Sequence, residues 1–263
     1  MKVSFRGFLS AFVLVILLVV LGSLTVLGFS GEEKKGIVTY TDGQVKRRSP
    51  EVETWQDATV NSAVLSGDKV RTYRKSRAEV DLAQLDLIRL APRTIIDIVK
   101  LYEETKEKNI QTEINIEQGE IWASVHEVET KTQFDVSSPI AAAAITGTLF
   151  RLNVGEDSTT QLKVYTGEVN ITNAPHKKDL KPKSLIPREV PGPVEIPGPR
   201  EVSVEEWLYI VKAMQQITID RHGKVVSKGK FSQEDKDEKS DWVVWNKKRD
   251  EERLKRLKES KNR

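Results

Sequence analysis

Cysteine is absent from the 263 residues of the chain, and histidine, methionine and aromatic side chains are scarce. The lack of cysteine excludes disulfides, a thiol nucleophile, an iron–sulfur cluster and cysteine-ligated zinc. His126, His176 and His222 are separated by tens of residues, and none has a second histidine or a paired carboxylate at metal-ligand spacing. We therefore expect neither a metal site nor a cofactor.

An excess of charge of one sign is also lacking, because 42 basic and 39 acidic residues leave a net charge of +3. The distribution is uneven, since residues 37–172 hold 16 basic and 21 acidic side chains and so carry a net charge of −5. A nucleic-acid-binding body carries a basic stripe, so this class of protein is excluded. The mean hydropathy of −0.43 excludes a polytopic membrane protein.

One long apolar run, residues 8–29, contains no charged residue. As a helix it would extend roughly 33 Å, which is enough to cross the hydrocarbon core of a bilayer. Lys2 and Arg6 precede the run, which predicts a cytoplasmic stub at 1–7 and a periplasmic location for the bulk of the chain. We therefore interpret the run as an uncleaved signal anchor in the cell membrane. A signal peptide cleaved before Gly31 is the alternative.

Between residues 36 and 172 the hydrophobic pattern has a period of two. Over residues 110–116, for example, apolar side chains alternate with polar ones, which is typical of a half-buried strand. One short pattern recurs at Gly43, Gly119 and Gly167. In each case a predicted strand is followed by a polar residue, the glycine and a new strand. Glycine supplies the positive φ that a tight turn or a bulge demands. The segment therefore predicts an all-β domain, either a sandwich or a roll.

A set of short motifs follows in a fixed order between Gly36 and Ile171. They are Leu65–Asp68, Val70–Thr72, Ser76–Val80, Ile88–Thr94, Gln118–Ile121, Phe134–Pro139, Thr146–Phe150 and Val164–Val169. This ordered set resembles the FecR domain family, the extracytoplasmic domain first described in transmembrane regulators of iron-citrate uptake. The resemblance implies a FecR-like β domain at 36–172 behind the membrane helix.

The resemblance does not extend to the cytoplasmic anti-sigma domain of the family's sigma-factor regulators, because only residues 1–7 precede the apolar run. Thr146 also stands where the family has an arginine before its glycine-threonine motif. We expect the matching residues to be structural rather than catalytic. They are Gly43, Trp55, Gly67, Asp68, Arg71, Thr72, Gly119, Pro139, Gly147, Thr148, Phe150 and Gly167.

The C-terminal third begins with residues 181–200, which hold six of the ten prolines. Proline fixes φ and favours polyproline II, so this segment is predicted to be a semi-rigid spacer, with a Pro-rich protein ligand as the alternative. Residues 203–227 are predicted to form a helix followed by a hairpin. Ser203 and Glu206 resemble a capping box, and an apolar stripe over 207–214 suggests the helix.

Residues 230–263 are predicted to be a charged tail, partly helical or disordered, in which Glu251–Lys255 and Glu252–Arg256 stand at helical i, i+4 spacing. The helix is expected to begin near Trp242. Tryptophan is enriched at the centres of protein interfaces, so three residues are candidate contacts for a partner. They are Trp207, Trp242 and Trp245.

We expect no enzymatic activity, because Ser137 and Ser138 lack the glycine-flanked elbow of a serine nucleophile and no pair of carboxylates is singled out. The first functional hypothesis is a non-enzymatic membrane-anchored module that binds a protein or a glycan of the cell envelope. The second is a transmembrane signalling regulator related to the iron-uptake sigma-factor regulators. The third, a glycan hydrolase of the envelope, requires two carboxylates in one cleft.

The anchor interpretation predicts that the full-length protein stays with the membrane fraction during carbonate extraction, because an apolar helix remains in the bilayer when peripheral contacts are lost. Immunoblotting of the fractions measures this. A shortened soluble species that begins near Gly31 would instead show that the run is a cleaved signal peptide.

Overall fold

The computed structural model describes residues 35–82, 86–104, 110–126, 132–173, 182–183 and 206–261. Within these ranges the chain is mostly β-sheet, which confirms the predicted fold class at this level, and it ends in helix. The strands are β1 (Gly36–Asp42), β2 (Val45–Arg48), β3 (Gln56–Asp57), β4 (Ala63–Val64), β5 (Lys69–Thr72), β6 (Arg77–Asp81), β7 (Leu87–Leu90), β8 (Ile95–Glu104), β9 (Ile110–Ser124), β10 (Thr132–Ser137), β11 (Ala142–Val154), β12 (Thr160–Thr172), β13 (Pro182–Lys183), β14 (Leu208–Lys212), β15 (Gln215–Ile219) and β16 (Val225–Lys230).

Two helical elements follow the strands, a 3-10 helix at Lys236–Lys239 and helix α1 at Asp241–Lys261. In the described ranges, no helix has both the length and the apolar character needed to span a bilayer. The apolar run at 8–29 lies outside the described residues, and so do most of the proline-rich segment 181–200 and the proposed cap Ser203.

The strands join into one hydrogen-bonded network in which the long strands change partners along their length. The first half of β9 pairs with β8 and, in parallel, with β10. Its second half pairs with β7 and β11. Strand β12 likewise pairs with β15 over its first half and with β14 over its second half. The bent strands thereby enclose one apolar core between them.

That core is filled by the alternate residues that the period of two predicts. On β9, Thr112, Ile114 and Ile116 are buried while their neighbours are only partly covered. The β8–β9 hairpin forms as expected, and its connection at 105–109 lies outside the described residues. Burial of one face fixes the register, because a slip by one residue would turn the apolar side chains to water.

The recurring glycines lie more often at bends within strands than at chain reversals. Gly43 lies between β1 and β2, whereas Gly119, Gly147 and Gly167 lie inside β9, β11 and β12, near the points where these strands change partners. All four have φ between 56° and 96°. Gly119 also packs against Thr94 so closely that a Cβ would lie 2.8 Å from the carbonyl oxygen of Arg93. The glycines therefore let long strands pass from one part of the network to another.

The helix predicted over residues 207–214 is wrong, because this segment forms strand β14 and a turn at Met214. Tyr209 and Val211 are buried, and Val211 is paired with Val169 of β12. Aromatic and β-branched residues suit this position at the side of an existing strand. β15 and β16 form the predicted hairpin, and β14 and β15 both pair with β12. Residues 206–227 therefore extend the β domain.

The helix expected near Trp242 is present as α1, and Ser240 caps it. The Ser240 Oγ accepts from the backbone N–H of Val243 at 3.4 Å, and Asp241 occupies the first turn, where a negative charge is favourable.

The Gly119→Ala variant should unfold more easily than the wild type by about 2–5 kcal/mol, because alanine would combine an unfavourable φ with a clash against backbone. Urea unfolding followed by tryptophan fluorescence measures the difference. Gly155→Ala is the matched control, since a Cβ there meets chiefly the movable carboxylate of Asp157. Equal stability of the two variants would contradict the proposed role of Gly119.

Candidate functional site

Six polar or aromatic side chains form a row across neighbouring strands. On successive neighbouring strands, Tyr40 lies opposite Glu79, Glu79 opposite Arg89, and Arg89 opposite Trp122. Trp122 in turn lies opposite Arg151, and Arg151 opposite Lys163. Directly opposed residues of a sheet point to the same face. The six residues Tyr40, Glu79, Arg89, Trp122, Arg151 and Lys163, here called the transverse row, therefore line the face opposite to the main core.

Five of the six residues of the transverse row are buried although four of them are charged, and Tyr40 is partly buried. Arg89 is 1% exposed, Lys163 is 2% exposed, and Glu79 and Arg151 are also buried. The covering elements are the 3-10 helix and helix α1, here called the C-terminal cover. Trp242 and Val243 of α1 pack with Ala91 and Trp122 in a second, small apolar cluster. The cover thus holds the row out of water in part through this apolar cluster.

Arg89 lies at the centre of the contact between strands and cover. Its Nε donates to Glu79 at 2.7 Å, and its Nη1 donates to Asp250 of α1 at 2.6 Å. The second oxygen of Asp250 accepts from the indole N–H of Trp122 at 2.9 Å. Asn246 also accepts from Arg89, at 3.3 Å. One turn of the helix therefore compensates the charge of a side chain that is almost inaccessible to solvent.

Glu79 is shared by two arginines. Arg249 of α1 donates to both of its oxygens, each at 2.9 Å, in addition to the bond from Arg89. Burial alone would raise the pKa of Glu79, but the hydrogen bonds from Arg249 and Arg89 outweigh it and lower the pKa from 4.5 to about 2. The Arg249 guanidinium also lies over the Tyr40 ring, 4.6 Å from its centroid. The carboxylate is therefore charged at neutral pH and links sheet and helix.

The other end of the transverse row binds the 3-10 helix. Lys163 donates to Asp237 at 2.5 Å and to Glu238 at 3.2 Å, and Arg151 donates to Asp237 at 2.5 Å. Tyr165 donates to Glu238 at 3.1 Å. Burial would raise the pKa of Asp237, but the bonds from Lys163 and Arg151 outweigh it and hold the pKa below its usual range. Both ends of the cover are thus attached by charged hydrogen bonds.

An open groove of about 430 Å³ lies elsewhere, between residues 137–142 and the β15–β16 turn. Exposed Arg221 and His222 stand on one side. Asn173 and Gly223 also line the groove, and the carbonyl of Gly223 accepts from the indole of Trp207 at 2.8 Å. The groove is therefore built on backbone that buried side chains hold in place.

The serines of this groove are engaged in structural hydrogen bonds. Ser138 Oγ accepts from Thr160 at 3.0 Å and from the backbone N–H of Ala141 at 3.2 Å. His222 Nε2 accepts from Arg221 at 3.2 Å. In the described ranges no serine–histidine hydrogen bond forms and no group of three metal-ligating side chains gathers. His176 lies outside those ranges.

The motif residues predicted to be structural occupy turns, bends and the core. Asp68 is buried and accepts from the backbone of Leu65 at 2.9 Å and from Arg47 at 3.3 Å. Thr72 donates to the carbonyl of Ala91 at 2.5 Å. Gly43 and Gly67 have positive φ, and Phe150 lies in the core. The Arg48 guanidinium lies over the Trp55 ring, and the Arg71 guanidinium lies over the Tyr73 ring. Thr148 donates to the carbonyl of Glu168, and Pro139 lines the groove.

The rings of the three tryptophans predicted as partner contacts pack within the chain, and their contact with a partner stays a prediction. Trp207 is 4% exposed and contacts Tyr209, and Trp242 is 8% exposed and stacks on Trp245. Trp245 also lies 5.5 Å from Tyr40. These apolar rings are used to attach C-terminal segments to the β domain.

Six charged residues of the contact between sheet and cover were not identified from the sequence. They are Arg151, Lys163, Asp237, Glu238, Arg249 and Asp250. A signal was present, because Arg89 and Lys163 each interrupt an apolar strand at a position flanked by core residues. Such a charge is almost never buried without a partner. The pattern indicates that a partner exists, although it does not say which residue supplies it.

The FecR protein family profile matches residues 68–170, from β5 into β12. The predicted resemblance is thereby confirmed for this segment. Two crystal structures, each of a proposed anti-sigma factor from Parabacteroides distasonis ATCC 8503, are similar at 14% identity with a TM-score of 0.43. The similarity covers 62% of this chain and 59% of that one, so the chain spans less than two thirds of its length. No curated protein compared with the chain matches it significantly in sequence.

The Glu79→Gln variant should lose about 3 kcal/mol of stability at pH 7, because the lowered pKa measures how strongly the arginines favour the charged form. The wild-type advantage is present above the unfolded pKa of 4.5 and is lost as the pH falls toward about 2. Urea unfolding at pH 7, 4.5 and 3 measures it.

Asp57→Asn is the matched control, because its pair with Lys46 is exposed and should contribute at most about 1 kcal/mol. A difference between Glu79→Gln and wild type that stays constant from pH 7 to pH 3 would show that the effect does not come from the carboxylate charge.

Proposed function

We propose that the chain is a membrane-anchored, extracytoplasmic FecR-type module that engages a protein or a glycan of the cell envelope without catalysing a reaction. The FecR match over residues 68–170 carries the proposal. The uncharged run at 8–29, preceded by Lys2 and Arg6, supports the anchor and its orientation. The structural hydrogen bonds of Ser138 and His222 in the groove beside Pro139 support a binding role.

The groove beside Pro139 is the proposed contact surface. Its volume of about 430 Å³ accommodates a side chain or a sugar ring. Arg221 and His222 supply donors at the rim, and both are exposed. The turn that carries them is held by Asp220, whose carboxylate accepts from the backbone N–H groups of His222 and Lys224, each at 2.9 Å. A preformed turn loses little conformational freedom when it binds.

A transmembrane signalling regulator is the second candidate, and the FecR match is the observation that favours it. In this function, occupation of the groove would be relayed through the apolar segment 8–29. A single membrane helix can relay such a signal by packing against a helix of another protein. The two functions share the extracytoplasmic contact and differ in whether the contact changes transcription.

Photocrosslinking in intact cells tests the contact surface. A photoreactive amino acid at position 222, on the groove, should give a discrete crosslinked species with an envelope component. The same amino acid at position 60 is the control, because Val60 is 47% exposed and does not line the groove. An equal crosslink pattern at both positions, or none at 222, would contradict the groove as the contact surface.

The same experiment separates the two functions when Arg221→Glu is added to it. Reversing the charge at the rim should abolish the crosslink from position 222 in either case. A regulator should then also show altered transcription of a sigma-factor-dependent gene set, measured by RNA sequencing. Unchanged transcription with a lost crosslink supports the binding module alone.

A further inference from the structure

A second concavity, of about 300 Å³, lies where helix α1 meets strands β6 and β7. Four arginines and two carboxylates are among its lining residues. The arginines are Arg89, Arg249, Arg253 and Arg256, and the carboxylates are Glu79 and Asp81. Residues 249, 253 and 256 are spaced by four and three positions, so they share one face of α1. The helix therefore presents a row of guanidinium groups to the cleft.

The charge of this cleft is not balanced by its own carboxylates. The lining itself holds four cations and two anions, a net charge of +2, and Asp250 binds Arg89 from outside the lining. Both carboxylate oxygens of Glu79 already accept hydrogen bonds, from Arg89 and Arg249. Asp81 contacts Arg253 at 3.4 Å, and Arg253 makes a further interaction.

Arg256 is the lining arginine to which the described residues supply no carboxylate. Its side chain is exposed, and within the described part of the chain it forms no ion pair. The i, i+4 pair with Glu252 predicted from the sequence does not form. Arg253 lies one turn before it on the same helix face. An anion in the cleft would therefore meet a guanidinium group whose charge is not already neutralised.

We propose that this cleft binds a phosphate group. A planar guanidinium donates two parallel hydrogen bonds to a phosphate, and a phosphate monoester offers three acceptor oxygens, enough to accept both bonds from Arg256. Its charge of about −1.5 to −2 at pH 7 opposes the positive excess of the lining. The volume of about 300 Å³ exceeds what a single carboxylate fills and leaves space for an attached glycerol or sugar. This site is independent of the groove at Pro139 and of its partner.

Titration calorimetry of the full-length chain in a zwitterionic detergent tests the site. The probes are inorganic phosphate and glycerol 3-phosphate, with acetate as the carboxylate comparison at matched ionic strength. Glycerol 3-phosphate should bind saturably, and Arg256→Gln should weaken binding at least tenfold. Lys258→Gln, an exposed cation two positions further along α1, should change it less than twofold.

The proposal is overturned if neither phosphate probe binds saturably, or if acetate binds as tightly as phosphate. It is also overturned if Arg256→Gln and Lys258→Gln weaken binding equally. Unfolding curves of both variants show whether the fold is intact, and Arg253→Gln gives a second test of the same face. A loss of the position-222 crosslink would not affect this result.

The source of the phosphate is distinguished with the full-length chain in lipid nanodiscs. If a lipid headgroup occupies the cleft, phosphatidic acid in the disc should compete and weaken glycerol 3-phosphate binding relative to discs of phosphatidylcholine. Equal binding in the two discs assigns the cleft to a soluble phosphorylated compound. Both results support a phosphate site and differ only in what carries the phosphate.

Discussion

The burial of the Arg89 guanidinium is the constraint on which the rest of the structure depends. A cation that is 1% exposed is tolerated only when its charge and its donors are satisfied nearby. Glu79 satisfies it within the sheet and Asp250 satisfies it from the helix. Removing one partner of such a group typically costs about 3–5 kcal/mol, a large part of the stability of a domain. Helix α1 is therefore required by the sheet that it covers.

This dependence joins the segment that matches the FecR family to sequence that lies beyond the match. Glu79, Arg89, Arg151 and Lys163 fall within residues 68–170, whereas every residue of the C-terminal cover lies after position 230. A FecR-type segment with these four charges needs the cover or a substitute of the same charge pattern. The charged tail of the sequence is thus part of the domain, and its mixture of acidic and basic residues has a structural cause.

Strands whose local hydrophobic pattern is clear could be predicted from the sequence. Elements and contacts that depend on pairing between distant residues could not. The alternation in β8 and β9 gave the correct strands, because each strand carries its own buried face. The segment 207–214 was assigned to a helix because five apolar residues fit either period, and only pairing with β12 decides between them. The contact of Arg89 with Asp250 spans 161 positions. It depends on sheet register and helix docking, which a linear pattern does not contain.

The attachment of the cover also determines which surfaces remain for function. Charged hydrogen bonds are directional, so the matches of Arg89 with Asp250, Arg249 with Glu79 and Lys163 with Asp237 favour one position of the cover along the sheet. A shift by one helical turn would separate these charges, and Arg89 and Lys163 would remain almost inaccessible to water. The covered face is therefore an unsuitable place for a partner. Concave surfaces that the cover leaves open in the described part of the chain include the groove beside Pro139 and the arginine-lined cleft along α1.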